Sequence, residues 1–193
     1  MNFILIFFNL FSQSDYFSKA LVLSLVVCTI FLFVFFIYGY FKILYKKKAA
    51  SLLLKKIHNN ESITDRDGEI AIFLIQSTVQ YQKNKEDVFF LMVDRFLLSE
   101  YRLKIIFGVF ASIGPLLGLL GTIWGIIAVF LNLEGAADLT AIAPGIAEGL
   151  ITTAAGLFLA IPALCMYHFF NYLLQVYYGL ISSIYYLFVE KAV

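Results

Sequence analysis

The sequence predicts an all-α integral membrane protein with three transmembrane helices, and three observations carry that prediction. Hydrophobic residues make up 62% of the 193-residue chain and charged residues only 14%, against about 45–50% apolar in an average soluble domain. Residues 20–41 and 105–133 carry no charge, and residues 139–189 carry one acid alone. Of the 14 Lys and Arg, 12 lie between Lys42 and Lys104, so that stretch must face water and the rest reads as membrane. A soluble chain this short has too much surface to hide so many Phe, Ile, Leu and Tyr side chains.

The first span is Ala20 to Phe41, 22 residues without a charge, long enough at 1.5 Å per residue to cross about 30 Å of hydrocarbon. Lys42, Lys46, Lys47 and Lys48 end it. The positive-inside rule makes that side cytoplasmic and puts residues 1–19 on the outer face as an N-terminal or interfacial segment. No basic n-region and no small-x-small cleavage site mark these residues as a removable leader.

Residues 42–104 hold the mixed charge and read as a helical cytoplasmic domain. Leu52, Leu53, Ile57, then Ile70, Phe73 and Leu74, then Val88, Leu91, Met92 and Phe96 recur at helical spacing. Breaks are expected at His58-Asn59-Asn60 and around Lys83-Asn84-Lys85, with a helix start at Thr64-Asp65-Arg66-Asp67. The segment offers no glycine-rich phosphate loop, no His/Cys cluster and no nucleophile with a nearby base, so its role reads as structural. Its basic excess is ordinary beside a membrane.

The second span is assigned to residues 105–131. The charge-free run from Ile105 to Leu133 has 29 residues and would extend about 43 Å as a helix, so it is expected to project beyond the hydrocarbon. Residues 132–139 form a short acidic outer loop, and the third span follows over 140–166. Tyr167, His168, Asn171, Tyr172 and Gln175 mark the headgroup level. Residues 167–193 are expected to continue as a cytoplasmic helix, since no loop separates them for a fourth crossing. Cys28 and Cys165 fall within spans and read as packing residues. Neither histidine has neighbours at metal-ligand spacing, so no metal and no cofactor is expected.

The two later spans carry the informative residues. Gly114, Gly118, Gly121 and Gly125 recur three or four apart and share a face, and Gly145, Gly149 and Gly156 dot the third helix. Small residues let helices approach closely in lipid, where association rests on packing. Pro115, Pro144 and Pro162 each remove a backbone donor, with a kink as the default consequence. Glu148 is the one acid inside the third span, and inserting it costs a few kcal/mol unless it faces protein or water. It lies about two turns from the outer loop, as Thr122 does on the preceding helix, so the two are expected at similar depth. Thr152 shares the face of Glu148, whereas Thr153 points about 140° away on an ideal helix. The plainer reading of these groups is an acid bonded to a neighbouring helix and threonines bonded to their own preceding turn.

The runs Gly114-Pro115-Leu116-Leu117-Gly118-Leu119-Leu120-Gly121-Thr122-Ile123-Trp124-Gly125 and Ala143-Pro144-Gly145-Ile146-Ala147-Glu148-Gly149-Leu150-Ile151-Thr152-Thr153-Ala154-Ala155-Gly156, with Ala160-Ile161-Pro162-Ala163, resemble the TolQ/ExbB branch of the MotA/TolQ/ExbB proton-channel family. The resemblance is close over about Ile105 to Asn171. It implies a multi-pass protein of the bacterial inner membrane with a periplasmic N-terminus. It also implies a homo-oligomeric ring, a pentamer, around a TolR/ExbD-like single-span partner with an intramembrane Asp, working with a TolA/TonB-like protein and without nucleic acid. By the same resemblance Glu148, Thr122 and Thr153 match polar positions of the channel lining, with Thr152 beside them. Departures are modest: the family usually has Ala-Pro at Gly114-Pro115, Ala at Gly149 and Tyr-Asn at Tyr167-His168. Two other readings stay open from the residues: a non-conducting scaffold held by glycine packing, and a small-solute transporter, which lacks support in any internal repeat or second intramembrane charge.

Overall fold

The computed structural model describes residues 15–59, 61, 64, 68–72, 85–131 and 139–191. The described residues form three long helices: α1 (Tyr16–His58), α2 (Lys85–Leu131) and α3 (Leu139–Lys191), with residues 69–72 also helical. Each of the three is long and apolar enough to cross a membrane. The segment 1–14, the outer loop over 132–138, the helix start at Asp65-Arg66-Asp67 and the break at Lys83-Asn84 lie outside the described residues.

Helix lengths follow from unbroken backbone pairing in a medium without water, where every N–H and C=O must be satisfied within the segment. α1 has 43 residues, α2 47 and α3 53, or about 65, 70 and 80 Å at helical rise. The first helix continues past the four lysines that end the apolar span and runs to His58, where Asn59 turns out as the polar interruption predicts. α3 likewise runs without a turn through residues 167–191, so the Tyr-rich tail is a continuation and not a fourth antiparallel span. Pro115, Pro144 and Pro162 all lie inside helices that continue past them.

The chain divides into two compact units, each assembled from segments of all three helices. Unit 1 comprises residues 1–34 and 106–167. Its buried side chains include Val22, Leu25 and Leu32 from α1, Phe107 from α2, and Leu159, Ala160, Ala163 and Met166 from α3. Large apolar residues elsewhere in the unit, among them Leu23, Ile30, Leu116, Ile127, Leu150 and Phe158, are exposed, as expected of helices that meet hydrocarbon. Thr29 is buried but its hydroxyl donates to the Leu25 carbonyl at 2.8 Å, so the helix satisfies its own polar group.

Unit 2 comprises residues 35–105 and 168–193. Ile43, Ala50, Leu53 and Ile57 form the buried stripe of α1, against Phe96, Leu97 and Leu103 of α2 and Phe170, Leu174, Tyr177, Ile181 and Ile184 of α3. Phe36 and Tyr40 meet the Phe169 ring at centroid distances of 5.7 and 5.9 Å. Gly39 has no side chain because the Phe170 ring occupies that space.

A charge cluster is buried in this unit. Glu100 is fully buried and its Oε1 accepts from Lys46 Nζ at 2.8 Å and Lys42 Nζ at 3.0 Å. Burial alone would push the carboxyl up; the hydrogen bonds and charges of Lys46 and Lys42 outweigh it and hold the group below the ordinary value of 4.5. The Tyr177 phenol is pushed up to about 12, first by burial and then by the charges of Glu100 and Glu69.

A depressed carboxylate stabilises the fold above its unfolded value, and that contribution disappears as pH falls through the folded one. Stability of the purified chain in detergent is therefore expected to hold down to about pH 5 and to fall below it, with the Glu100 share of that fall missing in Glu100→Gln. Removing both cations together, Lys42→Met with Lys46→Met, is expected to cost about 3 kcal/mol in SDS unfolding, the low end for a broken buried pair because both lysines keep some contact with water.

Candidate functional site

The site lies in unit 1, where α2 and α3 run antiparallel and nearly touch. Gly125 faces Gly145 and Gly149, Gly121 faces Thr152, Gly118 faces Thr152, Thr153 and Gly156, and Gly114 faces Gly156 and Ala160. A Cβ on Gly118 would stand 2.9 Å from the Thr153 Cα, and one on Gly125 2.9 Å from the Gly145 carbonyl oxygen. These are backbone obstacles, which cannot swing aside. The glycines singled out on the two helices thus meet one another over a single continuous seam.

Three threonines lie on that seam. Thr152 is fully buried, donating to the Gly149 carbonyl at 2.7 Å with the Gly118 carbonyl at 3.4 Å. Thr153 is half-buried and donates across to Gly118 at 3.1 Å. Adjacent positions on one helix both reach the same carbonyl because the approach is so close that the contact face is broad. Thr122 bonds back to its own Leu119 carbonyl at 2.7 Å, and what faces it on α3 is Gly149, whose Cβ would lie 2.9 Å from the Thr122 Cα. Gly149, where the family usually has Ala, is fitted to that contact.

Glu148 is at the depth expected beside Thr122, but its carboxylate turns to a different helix. Glu148 Oε1 accepts a hydrogen bond of 2.8 Å from the Asp15 backbone N–H. Asp15 is the N-cap of α1, since its carbonyl accepts the first helical bond from Lys19 N–H at 3.0 Å. The amides of a first turn lack intrahelical partners and carry the positive end of the helix dipole, so a carboxylate is well placed there. Beside it the Phe17 ring contacts Trp124 of α2 at 4.5 Å between centroids, and Ser18 is buried. Sequence reasoning did not find this partnership. An Asp before an apolar run has the residue type of an N-cap, but nothing in it points 133 residues onward, and a backbone donor leaves no mark in a sequence.

Among the described residues no group of three or more His, Cys, Asp or Glu side chains could hold a metal ion. The arrangement is an acid held by a helix start, next to a helix pair locked by glycine. Comparison with known proteins decides the family. The model of the MotA/TolQ/ExbB proton channel family matches residues 77–183, more than half of the chain. The chain belongs to the MotA/TolQ/ExbB proton channel family. It is 57% identical over 60 residues to the Tol-Pal system protein TolQ of Haemophilus influenzae, a match covering 30% of this chain and 26% of that protein. Against the biopolymer transport protein ExbB of Neisseria gonorrhoeae it is 48% identical over 66 residues, 32% of this chain and 30% of the relative. TolQ of Pseudomonas aeruginosa is 52% identical over 62 residues, 31% of this chain and 27% of the relative. The matched stretches thus span less than a third of these relatives' length. The chain is thus a helical member of the MotA/TolQ/ExbB proton channel family with three helices long and apolar enough to span a membrane.

The seam makes a sharp contrast testable. Gly118→Ala is expected to destabilise the purified chain by about 1–3 kcal/mol through overpacking. Gly179→Ala, on the same long helix as the seam's far side but with nothing within 4 Å of its Cβ, is expected to stabilise it by about 0.5–1 kcal/mol. SDS unfolding monitored by circular dichroism measures both.

Proposed function

We propose that this chain is the proton-channel subunit of an inner-membrane motor that uses the proton motive force to drive work at the outer membrane. The observation that carries the reading is Glu148: one acid within the otherwise uncharged stretch of α3 from Leu139 to Val189, inside the region that matches the proton-channel family. Five copies form a ring around two helices of a TolR/ExbD-like partner. An Asp on the partner takes a proton from the outer side and releases it inward, and Glu148, Thr122 and Thr153 supply polar groups along its route. Thr152, buried against α2, serves by holding the helix pair. The potential supplies about 2.3 kcal/mol per proton per 100 mV, so successive protons can drive a conformational step.

In this proposal the N-terminus is periplasmic and the loop at 132–139 lies on the same side. Residues 42–104 and 167–193 are cytoplasmic, with the lysines after Phe41 at the inner interface, as the positive-inside rule favours. Seen against membrane thickness, about 20 residues of each helix suffice to cross, which leaves long stretches of α1, α2 and α3 for the cytoplasm. The energised process is of the Tol-Pal type, envelope constriction and integrity through a TolA-like protein, in preference to TonB-dependent uptake. Relatives of both names match.

With Glu148→Ala as the sole copy in the native host, the complex is expected to co-purify with its single-span partner while envelope integrity or energised uptake is lost. Normal activity of that variant would overturn the channel reading and favour a non-conducting scaffold, for which Glu148→Gln is silent and Gly118→Leu abolishes assembly.

A further inference from the structure

We infer that the first turn of α1 is a latch that positions Glu148, docked when the carboxylate is ionised and released when it is protonated. The inference deepens the reading of Glu148 as a proton-route residue and rests on it. Three contacts of unit 1 converge on this turn: the Asp15 N–H on Glu148 Oε1 at 2.8 Å, the Phe17 ring on Trp124 at 4.5 Å, and the burial of Ser18, which is 1% exposed. Only the first depends on charge. An ionised carboxylate accepts a stronger hydrogen bond than a neutral acid and is favoured further by the positive end of the helix dipole. Adding a proton removes both advantages at once.

Among the described residues of unit 1, few other groups can confuse this assignment. On α1 the first turns present the Asp15 carboxyl and Lys19, whose ammonium lies over the Tyr16 ring at 5.9 Å. α2 has no Asp, Glu, Lys, Arg, His, Cys or Tyr between Ile105 and Leu131, and α3 has no other such residue between Leu139 and Ala163. Because the Asp15 contact uses its backbone, the Asp15 side chain is dispensable for the latch and its N–H is not. The positioning residues are Asp15 through its amide and Phe17 through Trp124, and neither has to touch the proton.

Trp124 is the chain's single tryptophan, so its fluorescence reports on the Phe17 contact directly. The full chain is placed in nanodiscs containing dibrominated phosphatidylcholine, and quenching of Trp124 is followed against pH. Protonation is expected to lower the docked-to-released ratio on the order of tenfold, the scale of one charge-assisted hydrogen bond, and quenching rises as the bare indole face meets brominated acyl chains. Glu148→Gln is expected to abolish the pH dependence, Asp15→Asn to retain it, and Asp15→Pro, which lacks the N–H, to lose it in the released state. A pH dependence that survives Glu148→Gln, or one abolished by Asp15→Asn, overturns the latch. The titration reads docking alone: a flat profile overturns the latch even where Glu148→Ala stops transport, and a Glu148-dependent profile supports it even where Glu148→Ala transports normally.

Discussion

Close approach of two backbones is the constraint on which the arrangement of the site depends. In hydrocarbon there is no gain from hiding apolar surface, so helices associate through contact, and contact is best where side chains are absent. The meeting of Gly114, Gly118, Gly121 and Gly125 with Gly145, Gly149 and Gly156 fixes the register of α2 on α3 residue by residue. The depth of Glu148 follows from that register, because Gly149 next to it is pressed against Thr122. Turning α2 about its axis by one or two residue positions would put Leu119 or Leu120 where Gly118 or Gly121 now stands, and the backbones would have to part.

Unit 2 is held by a different interaction. Lys42 and Lys46, one turn apart on α1, converge on Glu100 of α2, so these cations beside the first span form part of a packed core. Their spacing was visible in the sequence, and their partner was not. The lysine run marks the end of the apolar span and not of the helix, which continues to His58, where the polar residues predict the break. Leu53 and Ile57, read in the sequence as helical, are buried in phase with Ile43 and Ala50.

The three apolar helices and the turn after His58 were legible because hydropathy, charge runs and glycine spacing are local properties of the chain. The glycine face of α2 was legible for the same reason. Thr153 was harder: an ideal helix sets it well away from Glu148, and its bond to Gly118 arises because a seam without side chains lets a wide arc of α3 reach α2. Least legible was the partner of Glu148. That contact joins a side chain to a backbone amide on a helix far away in sequence, so neither residue type nor periodicity encodes it.

The tightness of the seam also restricts where water can go. A buried water needs room for about one probe sphere and two to four polar partners, and between Gly118 and Gly156 the gap would not admit even one more carbon atom. The carbonyl of Gly118 is already served by Thr153, and the Thr152 hydroxyl is turned onto Gly149. The contact between α2 and α3 of one chain is therefore dry, and no hydrated wire can thread it. A file of water that reaches Glu148 would have to run along other faces of these helices, such as the one that Glu148 turns to α1.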